Sequence, residues 1–552
     1  MLNGIAPRRS AVVALLTTFV AAQAGAQAVV SPFAGHTYQP GIDVRDYDIR
    51  IELPDTGAFI RGDVTVTARR APGVNTLRLD LVDRLTVRGI EVNDLAVGPV
   101  HVHDRIEVPL GGVSGDSLSV RIRYDGVVTD GLVAMKDTQG RWTWFGDNWP
   151  DRTRQWLPTV DHPSDKATVS FTVRAPTGRT VVANGTQLGT RALGGRDARF
   201  TETRWREGNP IPTYLMVIGA GPLVSVPLAT TGCAQPDASR CVPQSVYLMP
   251  ELREWLPGPF AAAAPIVSLF ERLVGPFPYE KLAHVQSATR FGGMENATAI
   301  FYAYDLFAKR TMGEGIIAHE TAHQWFGDAV TEREWGHLWL SEGFATYFAA
   351  LWTKQSRGDA AYRAEMATIR QQILDDSIVA RRPVIDTAQT NYLALLNTNS
   401  YQKGGYVLYM LHQQLGDSAF FGGLRSYYAK YRNGTALSDD LRAELERSSG
   451  RPLGQYFDQW LRRPGVATPK IGWAYDASNG SISLLALQDS TRAYELPLTV
   501  QVTERTGEPR RIDVTIPAQA RATISLPGRF PSRPASMSFD PDHLLLARIG
   551  QP

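Results

Sequence analysis

His319-Glu320-Thr321-Ala322-His323 is followed, after eighteen intervening residues, by Glu342 within Trp339-Leu340-Ser341-Glu342-Gly343. On a helix, two residues four apart share a face one turn from each other, so His319 and His323 can reach one metal ion together. The third ligand comes from a second helix, and Glu342 supplies it. A hydrolytic zinc takes such a His/His/Glu set at about 2.0–2.2 Å and keeps a fourth position for water. Glu320 lies beside the ligand row and reaches that water instead. Zinc lowers the pKa of water from about 15.7 toward roughly 7, and a neighbouring carboxylate takes the proton as the water attacks a carbonyl. The chemistry is metal-assisted amide hydrolysis with one zinc per chain.

A lone HExxH arises by chance, but this one sits in helical surroundings. Ile316, Ile317, Trp325 and Phe326 are apolar at helical spacing, a second helical run (344–352) follows Glu342, and neither Pro nor Gly interrupts the motif.

The chain of 552 residues is too long for one core, and about 150 residues per domain predicts three or so domains. From Tyr47 to about Val226 apolar and polar residues alternate, as in Tyr47, Ile49, Ile51 and Leu53, which predicts an all-β domain. Segments 251–274, 359–376, 401–415, 419–431 and 453–463 show wider, helical spacing, so a mostly helical domain carries the metal motif. Beyond Pro464-Gly465, short alternating runs (470–475, 481–487, 496–503, 511–516 and 522–526) predict a small β-sandwich. The predicted class is multidomain α+β, divided into 1–28, 29–228, 229–465 and 466–552.

Residues 1–28 read as a secretory signal: Arg8-Arg9 precede an apolar stretch (11–20), and Ala26-Gln27-Ala28 gives a small-x-small cleavage pattern. The expected location is therefore exported, periplasmic or secreted, with no membrane span elsewhere. Cys233 and Cys241 are the two cysteines. In an oxidising compartment two thiols so close in a loop are expected to form one local disulfide, the alternative being two unpaired thiols. A net charge of +2 gives no footprint for nucleic acid.

Three segments together resemble the zinc aminopeptidases of the gluzincin clan, the family of aminopeptidase N, aminopeptidase B and leukotriene hydrolase. The first runs from His319 to Glu342, with Trp325-Phe326-Gly327 and Leu340-Ser341-Glu342-Gly343-Phe344-Ala345. The second is Gly292-Gly293-Met294-Glu295-Asn296, similar to the family's exopeptidase motif. The third is Tyr401-Gln402-Lys403-Gly404-Gly405 with Val407-Leu408 and Met410-Leu411, similar to the segment of the catalytic tyrosine. Looser likeness extends to Trp156-Leu157-Pro158 and Asp161-His162-Pro163.

The resemblance implies a saddle-like N-terminal β domain, a thermolysin-like catalytic domain, and peptide substrates with a free N-terminus. It implies that Gly292, Gly293, Met294, Glu295 and Asn296 bind substrate, with Glu295 receiving the protonated α-amine. It implies that Tyr401 donates to the oxyanion of the tetrahedral intermediate. Glycines without side chains at 292 and 293 let an extended peptide approach and pair as an added strand.

The chain departs from the family pattern in three places. No Gln or Glu aligns near Gly146-Asp147-Asn148-Trp149 to share the amine, with Asn148 the substitute. Asp328 stands where the family's usual residue is Asn, a candidate second-layer partner of a zinc ligand, with a solvent-facing helix-end carboxylate the alternative. The large C-terminal helical domain has no counterpart, which predicts a more open cleft.

Epoxide hydrolysis, as in leukotriene hydrolase, is suggested by Gly292-Gly293-Met294 and Trp335-Gly336-His337, yet residues 393–400 contain no Asp or Glu to serve it. A non-catalytic peptide-binding protein would have lost one of these groups, and none is lost. An endopeptidase requires that Glu295 not block the cleft.

Overall fold

A computed structural model describes residues 35–98, 100–231, 241–256, 258–505 and 507–552. The predicted signal segment lies outside the described residues, as does Cys233 and with it the expected disulfide to Cys241.

Ser117–Val127 alternates buried and exposed residues along its length, the pattern of a strand with one face on a core. It belongs to an eight-stranded sheet in which Ile42–Glu52 is central. That strand runs antiparallel to Phe59–Arg70 (Ile49 opposite Val64) and parallel to Lys166–Pro176 (Asp46 opposite Thr168). A four-stranded sheet, Thr180–Ala183, Ile218–Gly221, Trp142–Gly146 and Leu132–Lys136, completes the side nearest the catalytic region.

The metal motif lies on helix Glu314–His323, and Glu342 lies on helix Trp339–Arg357. An aromatic layer joins the two: Phe326 stacks on Phe344 at 4.2 Å, and Phe270 packs edge-on against Trp325 and Phe348. The segment 251–274, expected as one helix, is helical in the α sense only over Ala263–Leu273. Two 3-10 turns precede it, because Pro250 and Pro259 remove backbone donors. Segments 401–415 and 419–431 join as Gly404–Tyr431, kinked where Gly416 adopts φ 74°. Residues Asn399–Lys403 enter that helix through a π turn.

The helical region also contains a five-stranded sheet absent from the sequence reading, in the order Val224–Pro227, Gln244–Leu248, Leu282–Ser287, Ala299–Ala303, Gly293–Met294. Leu282–Ser287 is buried at every residue. A strand covered on both faces loses the alternation that would reveal it. The short strand Gly293–Met294 forms one edge.

The chain closes with two three-stranded antiparallel sheets. Lys470–Asp476, Ser481–Leu487 and Arg521–Ser525 form one, and Arg510–Ile516, Leu496–Thr503 and Ser536–Phe539 the other. Among the described residues no helix is long and apolar enough to cross a membrane.

Lys166, at the start of its strand, ties the β domain to the metal region. Its ammonium donates to the carbonyls of Asp328 (2.8 Å), Ala329 (3.0 Å) and Gly434 (3.2 Å). Burial pulls its pKa down to about 7, against the opposing pull of Asp328 and Glu332. Lys166→Met removes all three donors, and we expect a loss of about 2–4 kcal/mol, read as a lower Tm in a thermal melt. An unchanged Tm would show that these contacts contribute nothing.

Candidate metal centre

Helix Glu314–His323 starts from an extended Gly313 with Glu314 in its first turn, where a carboxylate favours the helix dipole. It buries Ile317, Ala318, Thr321 and Ala322, which fixes its rotation and sends His319 and His323 to one side. The two rings lie 4.8 Å apart. From the facing helix, Glu342 Oε2 stands 3.3 Å from His319 Nε2 and 3.4 Å from His323 Nε2. Ligands at about 2.0–2.2 Å around a tetrahedral ion are separated from one another by roughly 3.4 Å. The three side chains therefore already stand at the edges of a zinc coordination shell.

His323 Nδ1 lies 3.2 Å from the Phe326 carbonyl and 2.9 Å from Ser341 Oγ. A proton held on Nδ1 for the carbonyl leaves the Nε2 lone pair aimed at the ligand point. Gly327, at φ 119°, makes room for this arrangement, since a Cβ there would stand 2.5 Å from Ser341 Oγ and 3.2 Å from His323 Nδ1. Asp328 does not touch a metal-binding histidine, because the Phe326 carbonyl and Ser341 already occupy the second nitrogen of His323. Nor is it a solvent carboxylate, since it is fully buried.

Asp328 Oδ2 accepts from Gln324 Nε2 at 2.8 Å, and the same amide group donates to the Glu295 carbonyl at 2.8 Å. Gln324 Oε1 accepts from the Thr298 amide at 2.8 Å. Gln324 thus bolts the 292–298 segment onto the end of the motif helix. Sequence reasoning missed both Gln324 and Ser341. The signal for Gln324 was a polar residue directly before the apolar pair Trp325-Phe326.

The site opens into a cavity of about 220 Å³ lined by Trp149, Phe291, Gly292, Gly293, Met294, Glu295, His319, Glu320, His323, Glu342, Leu396 and Tyr401. Gly293 lies against the motif helix: a Cβ added there would stand 2.1 Å from Glu320 Oε1. A side chain at 293 would therefore displace the Glu320 side chain from its present position. Tyr401 Oη donates to Glu342 Oε1 at 2.8 Å, and its ring stacks on His319 at 6.0 Å.

Two of the predicted groups lie away from the cavity. Asn296 is fully buried and does not line it; its carbonyl closes a turn on the Ala299 amide at 2.9 Å, which carries the side chain into the core. Asn148 spends both side-chain groups on the scaffold, donating to the Met216 carbonyl and accepting from Trp156 Nε1, each at 2.8 Å. Asn148 is therefore committed to the scaffold, and Asn296 stands outside the cavity lining.

Glu295, Glu320 and Glu342 are all buried around two imidazoles, and among the described residues no Lys or Arg lines the cavity. Burial, reinforced by Glu342, pushes the Glu295 carboxyl well above its usual range. Burial does the same to Glu320, with Glu295 and Glu342 adding to it. Burial and the nearby carboxylates keep the Tyr401 phenol protonated and a donor. Acidic groups packed this closely fit a divalent ion and a cationic ligand.

The chain matches the family model for the peptidase M1 N-terminal domain over residues 45–215 and that for the peptidase family M1 domain over residues 262–460. It is 26% identical over 560 aligned residues to an aminopeptidase N of Streptomyces lividans, across 92% of this chain and 62% of that protein. It is 26% identical over 428 residues to human glutamyl aminopeptidase, across 73% of this chain and 43% of that protein. The chain thus spans between two fifths and two thirds of the length of these relatives. An M1 zinc metallopeptidase from Deinococcus radiodurans superposes with a TM-score of 0.67 at 25% identity, covering 77% of this chain and 94% of that one. The aminopeptidase A of Legionella pneumophila, solved with aspartic acid, gives a TM-score of 0.78 at 17% identity over 93% of this chain and 60% of its own, a likeness of fold.

Ser341→Ala removes one of the two groups that orient His323. We expect a 10–100-fold weaker metal affinity, measured by competition with a chromogenic chelator. Equal affinity would show that the Phe326 carbonyl alone orients the ring.

Proposed function

The chain belongs to peptidase family M1, and from that premise we propose that it is a one-zinc aminopeptidase removing N-terminal residues from peptides. The observation that carries this reading is a buried carboxylate, Glu295, on the wall of the same small cavity as His319, His323 and Glu342. It closes one end of the cavity with a receptor for a charged amine. An exopeptidase needs that receptor, and an endopeptidase is hindered by it.

Zinc held by His319, His323 and Glu342 supplies Lewis acidity, lowering the pKa of water and polarising a peptide carbonyl. The other steps belong to the protein. Glu295 holds the substrate's α-ammonium and so fixes which peptide bond reaches the centre. The edge strand Gly293–Met294 offers its backbone to an extended peptide. Glu320 takes the proton of the attacking water and passes it to the departing amine nitrogen. Tyr401 Oη, exchanging its hydrogen bond to Glu342 Oε1 for one to the substrate, donates to the developing oxyanion, its ring held parallel to His319. Trp149, Phe291, Met294 and Leu396 exclude water from the remaining wall. Residues 393–400 between that wall and Tyr401 contain no carboxylate, which disfavours epoxide hydrolysis.

The Arg8-Arg9 pair, the apolar stretch after it and Ala26-Gln27-Ala28 support an exported enzyme.

A panel of aminoacyl fluorogenic amides tests the reading. We expect turnover with a free α-amine, loss on N-acetylation, loss with a chelator, and a 10²–10⁴-fold lower kcat in Glu320→Gln. Equal cleavage of acetylated substrates would reject the exopeptidase, and activity persisting in Glu320→Gln would reject the base. Gly293→Ala forces Glu320 aside and should lower kcat by about 10²-fold or more at unchanged zinc content; wild-type turnover in that variant would separate Gly293 from the placement of Glu320.

A further inference from the structure

Outside the catalytic cavity, His36, Asp43 and Asp165 form a second meeting point of ligand-type side chains. His36 Nε2 lies 3.6 Å from Asp43 Oδ1, and His36 Nδ1 lies 3.8 Å from Asp165 Oδ1. One ligand atom from each of the three falls within 4.8 Å of the others. The Asp165 side chain is 4% exposed and that of Asp43 5%. Among the described residues no side chain donates a hydrogen bond to either carboxylate oxygen of Asp165, whose one backbone donor is Val44, and Nδ1 of His36 has no hydrogen-bond partner there.

The fold forces this crowding. Ile42–Glu52 and Lys166–Pro176 are parallel neighbours with Asp46 opposite Thr168, and each aspartate stands three residues upstream of that pair. Like charges on adjacent strands repel, and a buried carboxylate without donors is strongly penalised. Arg45, its side chain 51% exposed, pairs with Asp43 Oδ2 at 2.6 Å. That contact leaves Asp43 Oδ1 facing His36, and Asp165 has no cationic side chain in direct contact among the described residues, only the Val44 amide and the more distant charge of Arg45.

We propose that His36, Asp43 and Asp165 hold a second divalent cation of the zinc class, separate from the ion at His319, His323 and Glu342. The donor chemistry selects the ion. One imidazole with two carboxylates suits zinc, whereas calcium takes six to eight oxygens. His36 can give one ring nitrogen to the ion, and the donors, now within 4.8 Å of one another, must draw in to the roughly 3.4 Å separations of a tetrahedral shell.

The role is structural. The ion would tie His36 to the starts of both strands. Asp165 directly precedes Lys166, whose ammonium grips the carbonyls of Asp328 and Ala329 just beyond the catalytic helix. On the other side of the cluster, the Gly35 backbone packs against Arg333, since a Cβ there would stand 3.3 Å from Arg333 Nε. The site therefore lies where the β domain meets the metal-binding region, and it stands independently of the peptidase reading.

Zinc counting on the full chain tests it. Protein equilibrated with zinc, passed over a desalting column and assayed by plasma mass spectrometry is expected to carry two ions per chain. His36→Ala and Asp165→Asn should each carry one, as should the double variant His319→Ala/His323→Ala, which keeps the ion proposed here. His36→Ala decides the matter if Asp165→Asn does not fold. One zinc in the wild-type chain, or two in folded His36→Ala, would overturn the proposal.

Discussion

One carboxylate is shared three ways in this molecule. Glu342 faces two imidazoles from one helix through Oε2 and a phenol from a second through Oε1. The sharing requires three helical segments to approach more closely than ordinary side chains permit. Glycines make it possible. A Cβ on Gly343 would lie 2.9 Å from the Gly404 carbonyl carbon, and one on Gly405 would lie 3.1 Å from the Gly343 oxygen. Backbone thus meets backbone directly beside Glu342, and Tyr401 is carried in by the π turn that precedes Gly404. The conformational entropy of three glycines in helical positions is a cost, about 1 kcal/mol each relative to alanine, accepted here in exchange for the geometry of the centre.

The same economy governs the opposite wall. Gly293 is bare because Glu320 occupies the space its side chain would take. Gln324 holds the Glu295 segment from the end of the very helix that bears the histidines. The receptor for a cationic end group and the metal ligands are therefore parts of one rigid unit, and the distance between them does not depend on a mobile loop. In the proposed reaction that distance sets which bond is presented for cleavage, and a side-chain amide, Gln324, helps to set it from outside the cavity. The crowd of buried carboxylates would be unstable alone, and a divalent ion with an ammonium group relieves it.

Much of this was legible in the sequence because helix periodicity is local. The spacing of His319 and His323 determines their common face wherever the helix lies, and the motifs offered Glu342, Glu295 and Tyr401 as candidates, all of which line the same cavity. What could not be read was tertiary. The strand Leu282–Ser287 is buried on both faces and shows no alternation, so the sheet that presents Gly293 went unrecognised. Asn296 follows Glu295 in the motif, but a turn sends it into the core. Asp328 seemed a partner for a histidine and instead anchors Gln324. Ser341 and Gln324 act through contacts with residues distant in the sequence or across a turn; a polar residue before Trp325-Phe326 marked Gln324 as unusual without naming its partners.

The central claim is that His319, His323 and Glu342 converge on one ion. Anomalous diffraction at the zinc edge from crystals of the active protein tests it most directly. A peak at about 2.0–2.2 Å from His319 Nε2, His323 Nε2 and a Glu342 carboxylate oxygen is the predicted result. Active protein with no peak at that point would contradict the account.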